Sequence, residues 1–233
     1  TASFSQCRKL TVDSYSNGKV NSLTWDLDIV REKNSWVVKD NKDKSLNIGT
    51  KVIWEKIDRT DFNLHKSNTS KILERIDEYL GLVFHRFIEG SLPGKTRTKI
   101  YINNREVDPI NPFNEGNNAT MKSSISSFRY KESDVSLQYF ILPHDDMVSI
   151  EEWKRFQGDG GYIKNQGFYV YRCNRLIVYS TWFNIIPKLS STKLCRVKID
   201  ISNDIDTDWK IDIKKCTASP PKAIRDYLEN FVI

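Results

Sequence analysis

Three short segments of the sequence carry side chains that could do chemistry. Gly49-Thr50 precedes a strand-like run, where the threonine hydroxyl can donate or accept a hydrogen bond. Lys214-Lys215 ends a second such run, and adjacent cations attract anionic groups. Arg172 and Arg175 flank a predicted hairpin turn. Each pattern alone is also common at ordinary turns and solvated surfaces, so their types and spacing identify no reaction by themselves.

The cysteines and histidines predict neither a metal site nor a disulfide framework. No two cysteines form a CxxC pair, and the histidines are too far apart to suggest a ligand set. We therefore interpret the cysteines as free thiols in a reducing compartment. The residues concerned are Cys7, Cys173, Cys195, Cys216, His65, His85 and His144.

The common catalytic motifs are missing from the sequence. There is no GxGxxG fingerprint, no Walker A lysine loop, no HExxH helix and no GxSxG elbow. An enzymatic function would therefore have to rest on a less common arrangement.

Composition indicates a globular chain. Its 233 residues, 39% of them hydrophobic, are enough for one large or two modest cores. No run approaches the roughly 18 apolar residues of a membrane helix, and the N-terminus lacks a signal-peptide pattern, so we expect a cytoplasmic protein. The net charge of +6 is compatible with nucleic acid or acidic partners. Lysines are interspersed with acidic residues, however, which is also typical of a solvated surface.

The first ninety residues are predicted to form an antiparallel sheet followed by a helix. Strands at 8–15 and 20–28 flank an Asn-Gly turn, and further strands are expected at 35–39 and 49–57. From Ser70 the apolar residues recur at three- and four-residue steps, which predicts one helix ending at Gly90. The Leu-Pro-Gly segment that follows predicts a domain boundary near residue 91.

The remaining residues are predicted to form a second mixed domain. Residues 135–142 alternate apolar and other side chains, so one face of that strand should be buried. Cys173-Asn174 has the length of a two-residue hairpin turn, and Ser219-Pro220-Pro221 predicts the start of a final helix. The other predicted elements are strands at 98–103, 124–130, 168–172, 175–179, 194–201 and 209–214 and a helix at 149–156.

Gly49-Thr50-Lys51-Val52-Ile53 resembles the strand that closes the adenine pocket in GHKL ATPases, the superfamily of gyrase, the ninety-kilodalton heat-shock chaperone, histidine kinases and MutL. The resemblance implies that Gly49 and Thr50 approach adenine. Residues 1–10 resemble the segment after the glycine-rich lid of MORC-type members, which implies that Ala2 and Ser3 lie near the phosphates, where a helix N-terminus favours anions.

Two later segments resemble the transducer domain of bacterial MORC-like and chaperone-like ATPases. Residues 208–221 resemble the end of a transducer strand, which implies that Lys214 or Lys215 reaches the γ-phosphate of ATP. A cation there would stabilise charge that develops in phosphoryl transfer and would make domain closure depend on ATP. Residues 167–177 resemble the transducer hairpin.

The resemblance implies an α+β fold. Residues 1–90 would be the C-terminal part of a Bergerat-type ATP-binding domain, with a partial sheet and a trailing helix. Residues 91–233 would be a transducer like domain 2 of ribosomal protein S5. The parent protein would be a conformational switch that uses ATP with Mg²⁺, in which the transducer couples nucleotide binding to domain closure or dimerisation.

The family's general-base glutamate, its magnesium-binding asparagine and its DxGxG loop do not occur in this sequence. The chain opens at Thr1 rather than Met, so we expect these parts upstream and interpret the chain as a fragment or a processed product. Its implied partners are the missing N-terminal half of its own domain and a second copy, while nucleic acid stays open. Without the upstream groups we expect no ATP hydrolysis by the chain alone.

Two other functions are consistent with the same residues. The first is a basic module that holds nucleic acid or a partner protein without using nucleotide, with Arg172 and Arg175 at its contact surface. The second is a structural interaction fragment that responds to neither ligand.

Overall fold

The computed structural model describes Ser3 and residues 6–41, 46–57, 66–209 and 219–232, without the side chains of 66–69 and 232. The chain divides into two compact units, Thr1–Thr69 and Ser70–Ile233, called here the first and second units. Helices and sheets are both present, as the predicted α+β class requires. No helix in the described ranges has the length and apolar character needed to cross a membrane.

The first unit is built on a four-stranded antiparallel sheet in the order β3-β2-β1-β4. Asn17 and Gly18 both have positive φ, 51° and 76°, and this two-residue turn matches the twist of the flanking strands. The predicted hairpin is therefore confirmed. The strand predicted at 49–57 is confirmed by β4. The strands are β1 (Cys7–Ser16), β2 (Lys19–Asp26), β3 (Lys39–Asp40) and β4 (Thr50–Ile57).

A short helix that the sequence patterns do not predict follows β2. This helix, α1, spans Leu27–Lys33; the Asp26 side chain accepts a hydrogen bond from the Asp28 N–H, and Asn34 in the left-handed region ends the helix. Because Asp26 caps this helix, the strand predicted at 20–28 ends at Asp26. The strand expected at 35–39 is reduced to the two residues of β3.

The helix predicted from residue 70 to Gly90 is interrupted. It consists of α2 (Lys66–Val83) and α3 (His85–Glu89), separated by Phe84 with φ −110° and ψ 14°. Gly90 ends the helix with φ 71°, as predicted. Directly after the break, His85 and Arg86 contact the sheet of the second unit. The spacing of apolar residues in the sequence does not predict these contacts.

From Ser70 onward the helical segment belongs to the second unit. Leu82 packs on a cluster of buried aromatic residues there, and His85 is itself buried. The compact units therefore divide between Thr69 and Ser70, about twenty residues before the boundary expected near residue 91. The assignment of 1–90 to an ATP-binding domain and of 91–233 to a transducer stays a prediction.

The second unit contains a six-stranded sheet in the order β11-β10-β12-β9-β7, with β8 also paired to β9. The pair β10 and β12 is parallel and all other pairs are antiparallel. Cys173 and Asn174, with φ 47° and 68°, form the predicted turn between β10 and β11. The strands are β7 (Met121–Lys122), β8 (Ser126–Tyr130), β9 (Ser133–Ile141), β10 (Gly167–Arg172), β11 (Arg175–Thr181) and β12 (Cys195–Ile201); β5 (Tyr101–Ile102) and β6 (Arg105–Glu106) form a separate hairpin.

Each face of the large sheet contributes residues to a buried core. Val135 and Leu137 of β9 lie in the main core, as the alternation predicts. Farther along the strand the prediction is wrong, because Tyr139 is 42% exposed and Phe140 is fully buried on the other face. Phe140 packs there on Phe113, at 4.6 Å between ring centroids, from the loop that precedes β7. A second core of aromatic residues therefore covers part of the face that the alternation leaves to solvent.

The remaining helices are α4 (Ile150–Gln157), α5 (Gly161–Lys164) and α6 (Lys222–Val232). Ser149 caps α4 by accepting from the Glu152 N–H, so the helix predicted at 149–156 is confirmed. The final helix is confirmed by Ile224 and Leu228, both fully buried in the main core. The strand predicted at 98–103 is only the two residues of β5.

Candidate functional site

Gly49 and Thr50 form the entry to β4. Gly49 has φ 77°, which favours glycine, and its carbonyl accepts a hydrogen bond from the Tyr15 N–H at 2.9 Å. Thr50 lies opposite Ser14, with 3.2 Å between their hydroxyl oxygens, and is exposed. The turn therefore holds the Thr50 hydroxyl at the end of the sheet in reach of solvent and of a ligand.

The Thr50 side chain shares a face of the sheet with a set of apolar residues, because directly opposed residues of antiparallel strands point the same way. On this face Trp54 is 48% exposed and Val52 is 53% exposed. We call this set the apolar face; it comprises Leu10, Val12, Leu23, Trp25, Val52 and Trp54. The exposed aromatic and aliphatic surface beside a hydroxyl is suited to a flat, partly polar ring or to a packing layer.

The opposite face of the same sheet is polar, and its part on β1 and β2 is buried. Thr11 and Thr24 are 2.7 Å apart at their hydroxyl oxygens, and Ser22 donates to Asp13 at 2.5 Å. Asn41 donates to the hydroxyls of Ser22 and Thr24, at 3.0 and 2.8 Å. These groups satisfy one another, so this face is a structural hydrogen-bond network rather than a binding surface.

At the far end of the sheet from Thr50, cations and carboxylates are paired. The Lys56 ammonium donates to Asp26 at 2.9 Å and to Asp28 at 2.7 Å, and Arg8 also pairs with Asp28. These hydrogen bonds lower the pKa of both carboxyls and raise the pKa of Lys56. The charges at this end are therefore neutralised within the first unit.

The structure does not bring Ser3 and Thr50 together. The Ser3 carbonyl accepts from the Gln6 N–H at 3.0 Å, just before Cys7 pairs with Ile57 at one end of β1. Thr50 pairs with Ser14, seven residues along the strand, a separation of roughly 23 Å at the rise of a β-strand. Ala2 lies outside the described residues.

Lys214 and Lys215 also lie outside the described residues, together with most of the strand predicted at 209–214. Trp209, the first residue of that prediction, is in a turn and fully buried. Its carbonyl accepts a hydrogen bond from the Ser219 N–H at 2.9 Å. The proposed contact between a lysine and the γ-phosphate therefore stays a prediction.

The basic residues beside the β10–β11 turn are engaged within the second unit. Arg172 forms two hydrogen bonds with the Asp206 carboxylate, which raise the pKa of the guanidinium. The Arg175 guanidinium lies 5.2 Å from the centroid of the Phe84 ring. This hairpin consequently presents less free positive charge than its sequence suggests.

A cleft of about 560 Å³ opens in the second unit between α3 and the large sheet. On its floor Arg86 donates to Asp200, at 3.0 Å for one of the two bonds, and its guanidinium lies 3.6 Å from the centroid of the Tyr171 ring. His85, 2% exposed, shares a 2.8 Å hydrogen bond between Nε2 and the Tyr171 hydroxyl. Sequence reasoning missed this cleft; a His and a Glu one helical turn apart in His85-Arg86-Phe87-Ile88-Glu89 was the available signal.

One group of side chains among the described residues has metal-ligand geometry. His144, Asp145 and Asp146 have ligand atoms within 4.8 Å of one another. All three are exposed, and exposed acidic groups of this kind are common without an ion. The sequence predicts no metal site at any histidine, and the cluster alone does not establish one.

Comparison with protein families matches residues 1–69 to the family of histidine kinase-, DNA gyrase B- and HSP90-like ATPases. The matched segment contains Gly49-Thr50 and the apolar face and supports the GHKL resemblance for the first unit. The match covers less than a third of the chain, and it says nothing of the second unit. No curated protein matches the chain.

Among solved structures, the chain is similar to the 43K ATPase domain of Thermus thermophilus gyrase B in complex with an aminocoumarin. The identity is 11% and the TM-score 0.30, over 98% of this chain and 65% of the other. The chain thus spans about two thirds of the length of that domain. A TM-score this low is not evidence of a common fold.

Proposed function

We propose that the first unit forms part of an adenine-nucleotide site in an ATP-driven conformational switch. The observation that carries the proposal is the exposed Thr50 hydroxyl at the margin of the apolar face. A purine ring needs both apolar surface and a hydrogen-bond partner, and Thr50 with Val52 and Trp54 offers them side by side. The family match of residues 1–69 supports the same assignment.

A complete site would need a layer over the apolar face. Sheets of this kind bury their apolar side against another element, and Trp54 and Val52 are still about half exposed. In the proposal, a helical layer from the upstream half of the same domain covers this face and supplies the general base and the magnesium ligand. ATP with Mg²⁺ would then lie between that layer and the sheet.

The second unit is proposed to contain the transducer, and nucleotide binding would be coupled to closure or dimerisation. In this proposal Lys214 or Lys215 approaches the terminal phosphate and Ala2 and Ser3 lie nearer the phosphates than the adenine. The chain alone would not hydrolyse ATP. A turnover above background that Lys214→Ala or Lys215→Ala abolishes would overturn this last point.

The nucleotide site can be tested in the natural gene product with a fluorescent ATP analogue. Thr50→Val keeps the side-chain shape but removes the hydroxyl, and we expect it to weaken binding about tenfold, as for a lost hydrogen bond to a ligand. Energy transfer from tryptophan to the analogue should be visible and should decrease in Trp54→Phe, in which Trp25 of the same face stays as a donor. Thr98→Val, at an exposed position of the second unit, is the matched control. Equal affinities for wild type and Thr50→Val would refute the assignment of Thr50.

A further inference from the structure

The cleft of the second unit contains a buried imidazole beside a carboxylate. His85 lines the cleft, and its Nδ1 has no hydrogen-bond partner among the described residues. Glu89 Oε2, one helical turn away, lies 3.4 Å from this nitrogen. Buried polar atoms without hydrogen-bond partners are rare in folded proteins.

The hydrogen bond to Tyr171 assigns the proton positions on the imidazole. Burial raises the pKa of Tyr171 well above its usual value, so the phenol keeps its proton and can donate to His85 Nε2. The other tautomer would place a lone pair of Nδ1 against the Glu89 carboxylate, which is repulsive. The favoured neutral form therefore carries its proton on Nδ1, directed at Glu89.

The lining of the cleft contains more carboxylates than lysine and arginine side chains. Arg86 is bonded to Asp200, and Lys198 lies 3.3 Å from Glu115 and 4.9 Å from the centroid of the Phe140 ring. The lining thus contains three carboxylates and two cations, and Glu89 is the carboxylate with no lysine or arginine partner within the described ranges. Its side chain is 24% exposed, so it is accessible from the cleft.

From this geometry we propose that the cleft binds a ligand carrying a guanidinium or ammonium group, with Glu89 as its acceptor. Leu92 and Pro93, with Ile125, offer apolar surface for the aliphatic stem that such groups carry. The uncharged polar residues Asn111, Ser136 and Gln138 can bond neighbouring amide or hydroxyl groups. The volume is sufficient for one long basic side chain with its flanking backbone.

The same chemistry could come from a free amine or from a basic side chain of a peptide. We would titrate the chain by calorimetry with agmatine, with a short arginine peptide, and with the same peptide carrying citrulline, which replaces the guanidinium by a neutral urea of similar shape. The arginine peptide or agmatine should bind and citrulline should bind at least tenfold more weakly. Tighter binding of the peptide assigns a peptide ligand, and equal or tighter binding of agmatine assigns a small amine.

Glu89→Gln should weaken the preferred ligand about tenfold while leaving thermal unfolding within about 2 °C of wild type. Glu78→Gln, at an exposed position of α2, is the matched control and should bind as wild type does. If Glu89→Gln fails to fold, the comparison of the arginine and citrulline peptides on the wild-type chain still tests the proposal. No binding of either basic probe, or equal binding of arginine and citrulline peptides, would overturn the proposal. None of these outcomes depends on nucleotide, so they leave the first unit's proposed function untouched.

Discussion

At the scale of single residues, Gln166 joins several segments of the second unit. The side chain is fully buried and accepts from the Trp182 indole N–H at 3.0 Å and from the Thr192 hydroxyl at 2.5 Å. Its amide nitrogen donates to the carbonyls of Ile163 and Leu189, both at 2.9 Å. Glutamine is needed because one side chain must offer both donors and acceptors to groups that water cannot reach.

Gln166→Leu should destabilise the protein by about 3 kcal/mol or more, because it leaves several buried partners unsatisfied. Urea unfolding measures the change in free energy. Gln157→Leu, at the half-buried end of α4, is the control and should change stability by less than about 1 kcal/mol. An equal effect of the two substitutions would show that the network contributes little.

At the scale of elements, α4 holds the loop that precedes β7 through one carboxylate. Glu152 Oε1 accepts from the side-chain amides of Asn114, at 2.7 Å, and Asn117, at 2.6 Å. These two bonds lower the pKa of Glu152 below its usual value of 4.5. The same loop places Phe113 over the second core, so the carboxylate connects the loop, the helix and the aromatic cluster.

The lowered pKa of Glu152 predicts a pH-dependent contribution to stability. A carboxyl with a lower pKa in the folded state stabilises fully above the unfolded pKa, near 4.5, and loses this effect as pH falls through the folded value. Glu152→Gln should therefore be less stable than wild type at pH 7, and the difference should shrink below pH of about 4.5. Urea unfolding across this range tests it, with exposed Glu151→Gln as control for the helix dipole. A difference that does not vary with pH would contradict the prediction.

At the scale of the whole molecule, the two units are stabilised in different ways. The second unit has its own cores on both faces of its sheet, with residues from β9, β10, β12 and α6 in the larger one. The sheet of the first unit has a buried polar network on one face and a half-exposed apolar face on the other. Hydrophobic burial is the main source of stability, so the second unit is the one equipped to fold independently.

Residues 70–233 expressed alone should unfold in one cooperative urea transition. Their core contains residues such as Ile199 and Trp209 that are fully buried within the unit. Ile199→Ala in this fragment should cost about 2–5 kcal/mol, as for a large-to-small change in a packed core. Circular dichroism and urea titration test both points, and a fragment without a cooperative transition would show that the first unit is required.

Local patterns in the sequence were sufficient for the elements whose cause is local. The turns at Asn17-Gly18 and Cys173-Asn174 follow from residues that adopt positive φ, and α6 follows from its apolar stripe after Pro220-Pro221. The GHKL resemblance was also readable from the sequence, and the family match of residues 1–69 agrees with it. The role of Gly49 and Thr50 stays a prediction.

Only the tertiary structure decided the features that depend on residues distant in sequence. The break at Phe84, the burial of Phe140 on the second face and the pairing of Arg172 with Asp206 are set by contacts between separate elements. The cleft with His85 is of the same kind, since His85 and its partner Tyr171 are 86 residues apart. Periodicity and turn chemistry report the conformation of neighbouring residues, whereas which side chains meet is determined by how the sheet and helices pack.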